Sequence, residues 1–519
     1  MSALDAYISP KRARQLLLPG AMLLAAGAGV LTVRMGLLIP GALIGLPVAA
    51  ICLAVLFQYP RVGIVAFIVY CFLVMTICRH IKGVPFGLGI DGLLIILWLA
   101  IFFHRSKKVA DWSRVSNDLC RMAVAWFVIN ILEIGNPAGA SILGWYYEMR
   151  GTTLYWFLSV PLVMMLFYRL RDLRLFLILV LFFSAVGAVY GIKQKILGPD
   201  AAEQLWLDTG AAKTHILFGV LRVFSYYSEA AQFGASQAHI AVVSLVLAVG
   251  PFKWWKRVLF AIVSGLTFYG MLISGTRGAM FVLIPGIFIY LMLSKQTKVL
   301  ILGGALAGGA FFVLKYTTIG NNNPSVARMR TSLDPNDPSL QVRMRNQAKL
   351  HDYMGPRPFG GGVGVIGMWG EKYNGDKYLS TIPPDSYFVK IWAEYGIVGF
   401  IIWMSMMLYT LGKSCGIVWN CRDPLLRQKL MALTAGFTGV FLASYGNEVM
   451  NQMPSAMIVY VGWVFIFRGP QLDKELAEAA RAAALASAPV PALAQPGSRV
   501  AGLLPARPAY LPPHTSQAA

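Results

Sequence analysis

Arginines recur where the apolar runs of this chain end. Arg150 opens one run, and Arg222 precedes another in Arg222-Val223-Phe224-Ser225-Tyr226-Tyr227. Arg277 sits between two runs in Ser274-Gly275-Thr276-Arg277-Gly278-Ala279, and Arg343 and Arg345 lie in a long polar stretch. A guanidinium keeps its charge at any relevant pH and makes paired hydrogen bonds to phosphate oxygens. Several that converge hold a pyrophosphate without a metal. The competing explanation for each is an interfacial arginine, its stem in apolar surroundings and its head in water. Arg277 suits that explanation least, because its hairpin is too short to reach far into water and no carboxylate neighbours it in the sequence.

Groups that handle a proton come from the same regions. Asp385, in Pro383-Pro384-Asp385-Ser386-Tyr387-Phe388, stands where a helix begins. It suits a helix N-cap, and equally a carboxylate that deprotonates or orients an acceptor hydroxyl. His351, the one histidine of the polar stretch, is a second base candidate, or else a solvated loop residue. Glu394 lies two turns beyond Asp385, and a carboxylate that deep pairs or lines a cavity. Glu229 and Gln232 begin another helix on the same face, and His239, deeper in it, reads as a satisfied buried histidine. Glu229, Tyr387 and Glu394 are expected to support the acceptor or the loop. So are Gly360 and Gly362, in Pro358-Phe359-Gly360-Gly361-Gly362-Val363-Gly364. Such a run brings backbone N–H groups close to an anion, or simply makes a turn. It is no P-loop, since the Lys-Ser/Thr ending is missing.

The elements that position these residues follow from composition. Of 519 residues, 57% are hydrophobic and 13% charged, against roughly a quarter charged in an ordinary soluble domain. Apolar runs near 15–33, 36–57, 62–78, 87–103, 118–133, 152–168, 173–192, 230–250, 257–274, 278–294, 298–315, 388–410, 429–446 and 453–468 are long enough to cross about 30 Å of hydrocarbon as helices. They are continuous rather than alternating, which excludes a β-barrel. The fold class is therefore all-α, a polytopic transmembrane bundle of 12–14 spans.

The formal net charge of +22, from 45 Lys+Arg against 23 Asp+Glu, sits at the ends of the apolar runs. That is the positive-inside pattern, not a nucleic-acid footprint. It places both termini in the cytoplasm and the polar stretch 316–387 outside. The expected divisions are a cytoplasmic N-terminus (1–14), a membrane domain (15–468) and an Ala/Pro-rich cytoplasmic tail (469–519), disordered in its last part. A loop as long as 316–387 needs helices of its own, and 339–353 reads as one. None of the six cysteines falls in that loop, so no disulfide framework is indicated.

Four pieces, in order, resemble the bacterial O-antigen ligase and O-antigen polymerase superfamily. Arg222–Gly234 is similar to a segment carrying an essential outer arginine. Ser274–Ala279 is similar to the family's S-x-R-G-A motif. Ser339–Arg343 with Pro358–Gly364 resembles its S-x-x-x-R and P-x-G-x-G pieces, and Asp385–Gly399 its closing H-N-S-Y-L…E-x-G-x-x-G segment. The resemblance spans roughly 150–465. It implies a fold like that of family C glycosyltransferases. It also implies an inner-membrane enzyme that takes glycan from an undecaprenyl-diphosphate-linked donor and passes it to a glycan acceptor. Inversion at the anomeric carbon, no metal or other cofactor, and work alongside polysaccharide export proteins come with it. Arg150, Arg222, Arg277 and Arg343 would hold the donor diphosphate. Ligases of this kind carry His where Pro384 stands here, so the resemblance favours a polymerase of exopolysaccharide or O-antigen repeats, assisted by Asp385 or His351. A ligase acting on lipid A core or protein is the alternative, followed by a non-enzymatic glycolipid transporter, which would show paired midplane carboxylates and a repeat axis.

Overall fold

The computed structural model describes residues 38–104, 111–139, 141–217, 219–295, 297–319, 330, 336, 338–384 and 386–487. The expected helix near 15–33 and the candidate base Asp385 lie outside the described residues. The chain divides into two compact units, 1–473 and 474–519. In the second, the described residues are helical, with Lys474 and Glu478 forming an exposed i,i+4 pair at 3.8 Å.

The first unit is an all-α polytopic membrane protein. Among the described residues, the helices Pro60–His80, Leu170–Leu197, Ala230–Ala248, Trp254–Ile273 and Tyr387–Asn420 are each long and apolar enough to cross a bilayer. Shorter apolar helices stand beside them, among them Gly89–Phe102, Met280–Leu293 and Ser455–Phe467. Side-chain caps fix several starts. The side chains of Asn117, Ser141 and Ser386 accept from the backbone N–H of Cys120, Gly144 and Val389, satisfying donors that a helix terminus leaves unpaired. Ser386 is thus the cap of the Tyr387–Asn420 helix. The Ala230–Ala248 helix is the axis of the bundle. Nearly all its residues are buried, packed chiefly against Trp254–Ile273, Pro424–Ala443 and Met280–Leu293.

The long loop earns its order from its own core. Its Pro338–Met354 helix brings Leu350 and Met354 onto Val365, Ile366, Leu379 and Ile382. These close on Val389 and Ala393 of the Tyr387–Asn420 helix. That helix breaks at Gly396, whose φ of 67° lies in the left-handed region. The break leaves Ala393 and Glu394 carbonyls and the Val398 N–H without helical partners. The glycine run supplies all three. Gly361 N donates to Ala393 O at 2.9 Å, Gly362 N to Glu394 O at 3.0 Å, and Val398 N to Pro358 O at 3.2 Å. The backbones approach so closely that a Cβ at Gly396 would lie 2.1 Å from Pro358 O.

Candidate functional site

A cavity of about 2100 Å³ opens between the bundle and the long loop. It is at least twice the size of an ordinary small-molecule pocket, which runs to about 1,000 Å³, so it accommodates several sugar rings. Arg150, Arg222, Arg277 and Arg343, which come from four separate segments of the chain, all line it.

Each arginine is set in place by a different device. The segment before the Ala230–Ala248 helix is pinned by Arg79, which is 5% exposed. Arg79 donates to the carbonyls of Ser225, Tyr227 and Ser228 at 3.1, 2.6 and 3.3 Å. Its guanidinium lies 4.5 Å over Trp206 and 4.6 Å over Phe224. From this fixed segment Arg222 reaches out, donating to Thr214 O at 2.9 Å and to Thr276 Oγ1 at 3.1 Å. Thr276 in turn donates to Ala230 O at 2.9 Å, tying the Arg277 turn to the same helix start. Arg277 opens a short 3-10 turn, Arg277–Ala279, and is half-buried. Arg343 projects from Pro338–Met354 so that its Nη1 would stand 3.6 Å from a Cβ at Gly446.

Arg150 is different in kind. It is 8% exposed, and Nε and Nη2 of its guanidinium are held by the protein. Nε and Nη2 grip the two oxygens of Asp91 at 3.1 and 2.5 Å, and Nη2 also reaches Gly87 O at 2.7 Å and Tyr155 OH at 2.9 Å. Its charge is therefore offset within the wall by Asp91. Arg222, Arg277 and Arg343 line the same cavity from half-buried positions.

The remaining expected residues separate. Glu229 lines the cavity, and burial pushes its carboxyl above the ordinary carboxylate range, opposed by a hydrogen bond from Gln452 and by Arg222. His351 does not line the cavity. It stands 83% exposed beside an equally exposed Asp352, because it lies on a solvent-facing part of Pro338–Met354. The structure does not bring it to the arginines. Gly360 and Gly362 also face away from the cavity. The N–H groups of Gly361 and Gly362 go to the broken helix, that of Gly360 closes a turn onto Arg357 O at 3.1 Å, and the Gly364 N–H goes to Glu394 Oε1 at 3.0 Å. Glu394, fully buried, is thus the internal anchor of the loop. Tyr387 is packed edge-on against Trp403 in the interior, 5.5 Å between ring centres, and its N–H donates to Ser444 O at 2.9 Å.

Charged groups that sequence reasoning missed complete the wall. Lys390 Nζ lies 2.9 Å from Glu148 Oε2 and 3.0 Å from Glu448 Oε2, and all three line the cavity. Asp91, Glu148 and Lys390 each interrupt an apolar stretch of a chain with few charges. An ionisable residue in such a setting is by default a functional or paired group, and that was the signal available.

Residues 262–404 match the family model described as O-antigen ligase. Over 215 residues the chain is 28% identical to an O-antigen polymerase of Salmonella muenchen, a match covering 40% of this chain and 50% of that protein. The chain thus spans about half the length of the curated relative it matches. Both matches are to the O-antigen ligase and polymerase superfamily, which the chain resembles over the residues matched.

Proposed function

We propose that this chain is a membrane glycosyltransferase that polymerises lipid-linked glycan repeats at the outer face of a bacterial inner membrane. The donor is a glycan on undecaprenyl diphosphate, and the acceptor is a hydroxyl of a second glycan. One observation carries the reading: three half-buried arginines on separate segments, Arg222, Arg277 and Arg343, share one large cavity with a fourth, Arg150, in its wall.

The chemistry follows from that wall. When the anomeric C–O bond breaks, negative charge grows on the leaving diphosphate. Forked donors fixed in advance stabilise that charge without reorganising. Arg150, held by Asp91, sets the wall's shape, while the other three meet the phosphate oxygens. The acceptor hydroxyl attacks from the face opposite the leaving group, with inversion. No step in this scheme calls on a metal or cofactor. Asp385 adjoins cavity-lining Pro384 in the sequence, and in this scheme it orients the acceptor.

The ligase reading uses the same donor site with a different acceptor. The polymerase is preferred because Pro384 replaces the histidine that ligases of this family carry. A transporter would need to move the charged head across the bilayer, and a wall of arginines at a single cavity supports holding it instead. Deleting the gene and sizing the glycan decides. Accumulated single repeats support the polymerase. Intact polymer left on its lipid carrier would replace it with the ligase, and unaltered polymer on the wrong side of the membrane with the transporter.

A further inference from the structure

We infer that residues 446–452, the loop between the Pro424–Ala443 and Ser455–Phe467 helices, form the acceptor-sugar subsite, with Glu448 receiving the proton of the attacking hydroxyl. This rests on the glycosyl-transfer reading above. The loop lies beyond the 262–404 segment that matches the family model.

Position comes first. Val449 and Met450 are buried and fasten the loop, leaving Asn447, Glu448, Asn451 and Gln452 on the cavity. The loop touches every arginine-bearing element. The Gly446 carbonyl would be 3.4 Å from a Cβ at Gly278, next to Arg277, and Arg343 Nη1 borders Gly446 itself. The Asn451 carbonyl would be 3.2 Å from a Cβ at Gly151, next to Arg150. Gln452 meets Ser228 Oγ at 3.3 Å and Glu229 Oε1 at 3.5 Å. A ring lying on this loop is therefore within reach of whatever the arginines hold.

The chemistry of the loop suits a neutral polyhydroxylated ring. Asn447 Nδ2 and Asn451 Oδ1 are shielded from solvent and have no hydrogen-bond partner among the described residues. One is a donor and the other an acceptor. Unpaired buried amides call for an explanation, and a turn of either side chain that brings these atoms onto the cavity lets sugar hydroxyls, each able to give and accept, satisfy both. Near the same wall, Trp369 stacks on Tyr147 at 4.6 Å. Both rings line the cavity and offer an apolar face to the C–H side of a sugar.

Charge identifies the proton acceptor. Lys390 contacts two carboxylates, with Glu394 buried nearby, so with both contacts ionised the trio carries one surplus negative charge. Glu148 is 3% exposed, whereas Glu448 is 22% exposed, accepts a hydrogen bond from Lys390 and faces the cavity. Protonating Glu448 leaves a balanced Lys390–Glu148 pair, so the network accepts a proton without stranding a buried charge. In the step, the acceptor O–H gives its proton to Glu448 and its oxygen bonds to the anomeric carbon. The bond from that carbon to the diphosphate oxygen breaks, and its electron pair leaves on the diphosphate.

The test uses the full chain in nanodiscs with a labelled undecaprenyl-diphosphate-linked repeat and a soluble oligosaccharide acceptor. Glu448→Gln is expected to lower kcat about 100-fold or more while retaining the labelled donor. Glu448→Asp should recover part of the rate with a displaced acidic limb of the pH–rate profile. Asn447→Ala and Asn451→Ala should raise the acceptor KM several-fold with kcat little changed. Wild-type kcat in Glu448→Gln, or unchanged acceptor KM in both asparagine variants, overturns the subsite, and the asparagine result decides if Glu448→Gln does not fold. Arg277→Ala separates the two levels. If it transfers normally, the donor reading falls. If it fails while Glu448→Gln is normal, only the subsite falls.

Discussion

Arg150 holds Asp91 through both carboxylate oxygens, joining the wall of the cavity to the start of the Gly89–Phe102 helix. Both residues are more than 90% buried. Removing one partner strands the other's charge, at a cost of about 3–5 kcal/mol. Arg150→Ala and Asp91→Ala are each expected to lower the unfolding temperature of the detergent-solubilised protein markedly. The double variant should fall well short of the sum, because the two share one interaction. Additive losses in a thermal-shift series would show that the pair is not the source of stability.

Arg277 carries the opposite expectation. It is half-buried on a short turn at the cavity, and Arg277→Ala should leave expression unchanged. Polymer formation should drop by roughly 100-fold or more, the cost typical of losing one preorganised donor to a developing oxyanion. Arg277→Lys restores the charge but not the fork and should recover only part of the activity. Normal chain length in Arg277→Ala, read on a glycan gel, would remove the arginine from any part in donor binding.

The two base candidates suggested by sequence separate by position. His351 stands in solvent, away from the arginines, so His351→Ala should retain near-wild-type polymerisation. Asp385→Asn should cost more, since Asp385 follows a cavity-lining proline, yet less than Glu448→Gln. The order is read from initial rates of the three variants side by side. A loss with His351→Ala that exceeds both others would return the proton-transfer role to the long loop.

Much of the architecture was legible because hydrophobic length is a strong local signal. The apolar runs at 62–78, 230–250 and 257–274 became helices over nearly the same residues, and the polar 339–353 became Pro338–Met354. The arginines were legible as a set because their places at the ends of apolar runs put several guanidinium groups at one level, although an interfacial role explains any single one as well. What stayed hidden depends on distant pairing. Nothing local to Lys390 announces two carboxylates, one 242 residues before it and the other 58 after it. The glycine run was ambiguous for the same reason. Only the break at Gly396 reveals that the N–H groups of Gly361 and Gly362 serve a helix.

That break makes a sharp prediction. Gly396→Ala places a methyl against Pro358 O and demands a left-handed φ from an L-residue. Glu394→Ala leaves the buried Gly364 N–H unpaired, a loss of about 1–3 kcal/mol. Both should loosen the 358–364 segment without touching any arginine. Hydrogen exchange at these amides is expected to rise in both variants, more in Gly396→Ala. Protection equal to wild type in Gly396→Ala would mean the loop is not anchored by the kink.

The last expectation concerns acid. His215 Nε2 accepts from the Ala230 N–H at 3.2 Å and Nδ1 lies 3.0 Å from Ala211 O. The ring also sits edge-on to Trp206 and Phe224. That arrangement needs a neutral imidazole, and burial holds His215 down at about 4, against an ordinary value of 6.5. The sign follows from linkage. Between pH 6.5 and 4 the unfolded chain binds a proton that the folded chain refuses, so this contribution to stability is complete above about 6.5 and is lost as pH falls toward 4. Protonation also removes the acceptor for the Ala230 N–H, loosening the segment that carries Arg222 from the helix behind it. Unfolding temperature should therefore decline from pH 7 to pH 5 more steeply in the wild-type protein than in His215→Gln. The substitution costs some stability at pH 7 but has no proton to take up. Parallel pH profiles for the two proteins would show that some other group sets the acid limit and that His215 only fills space.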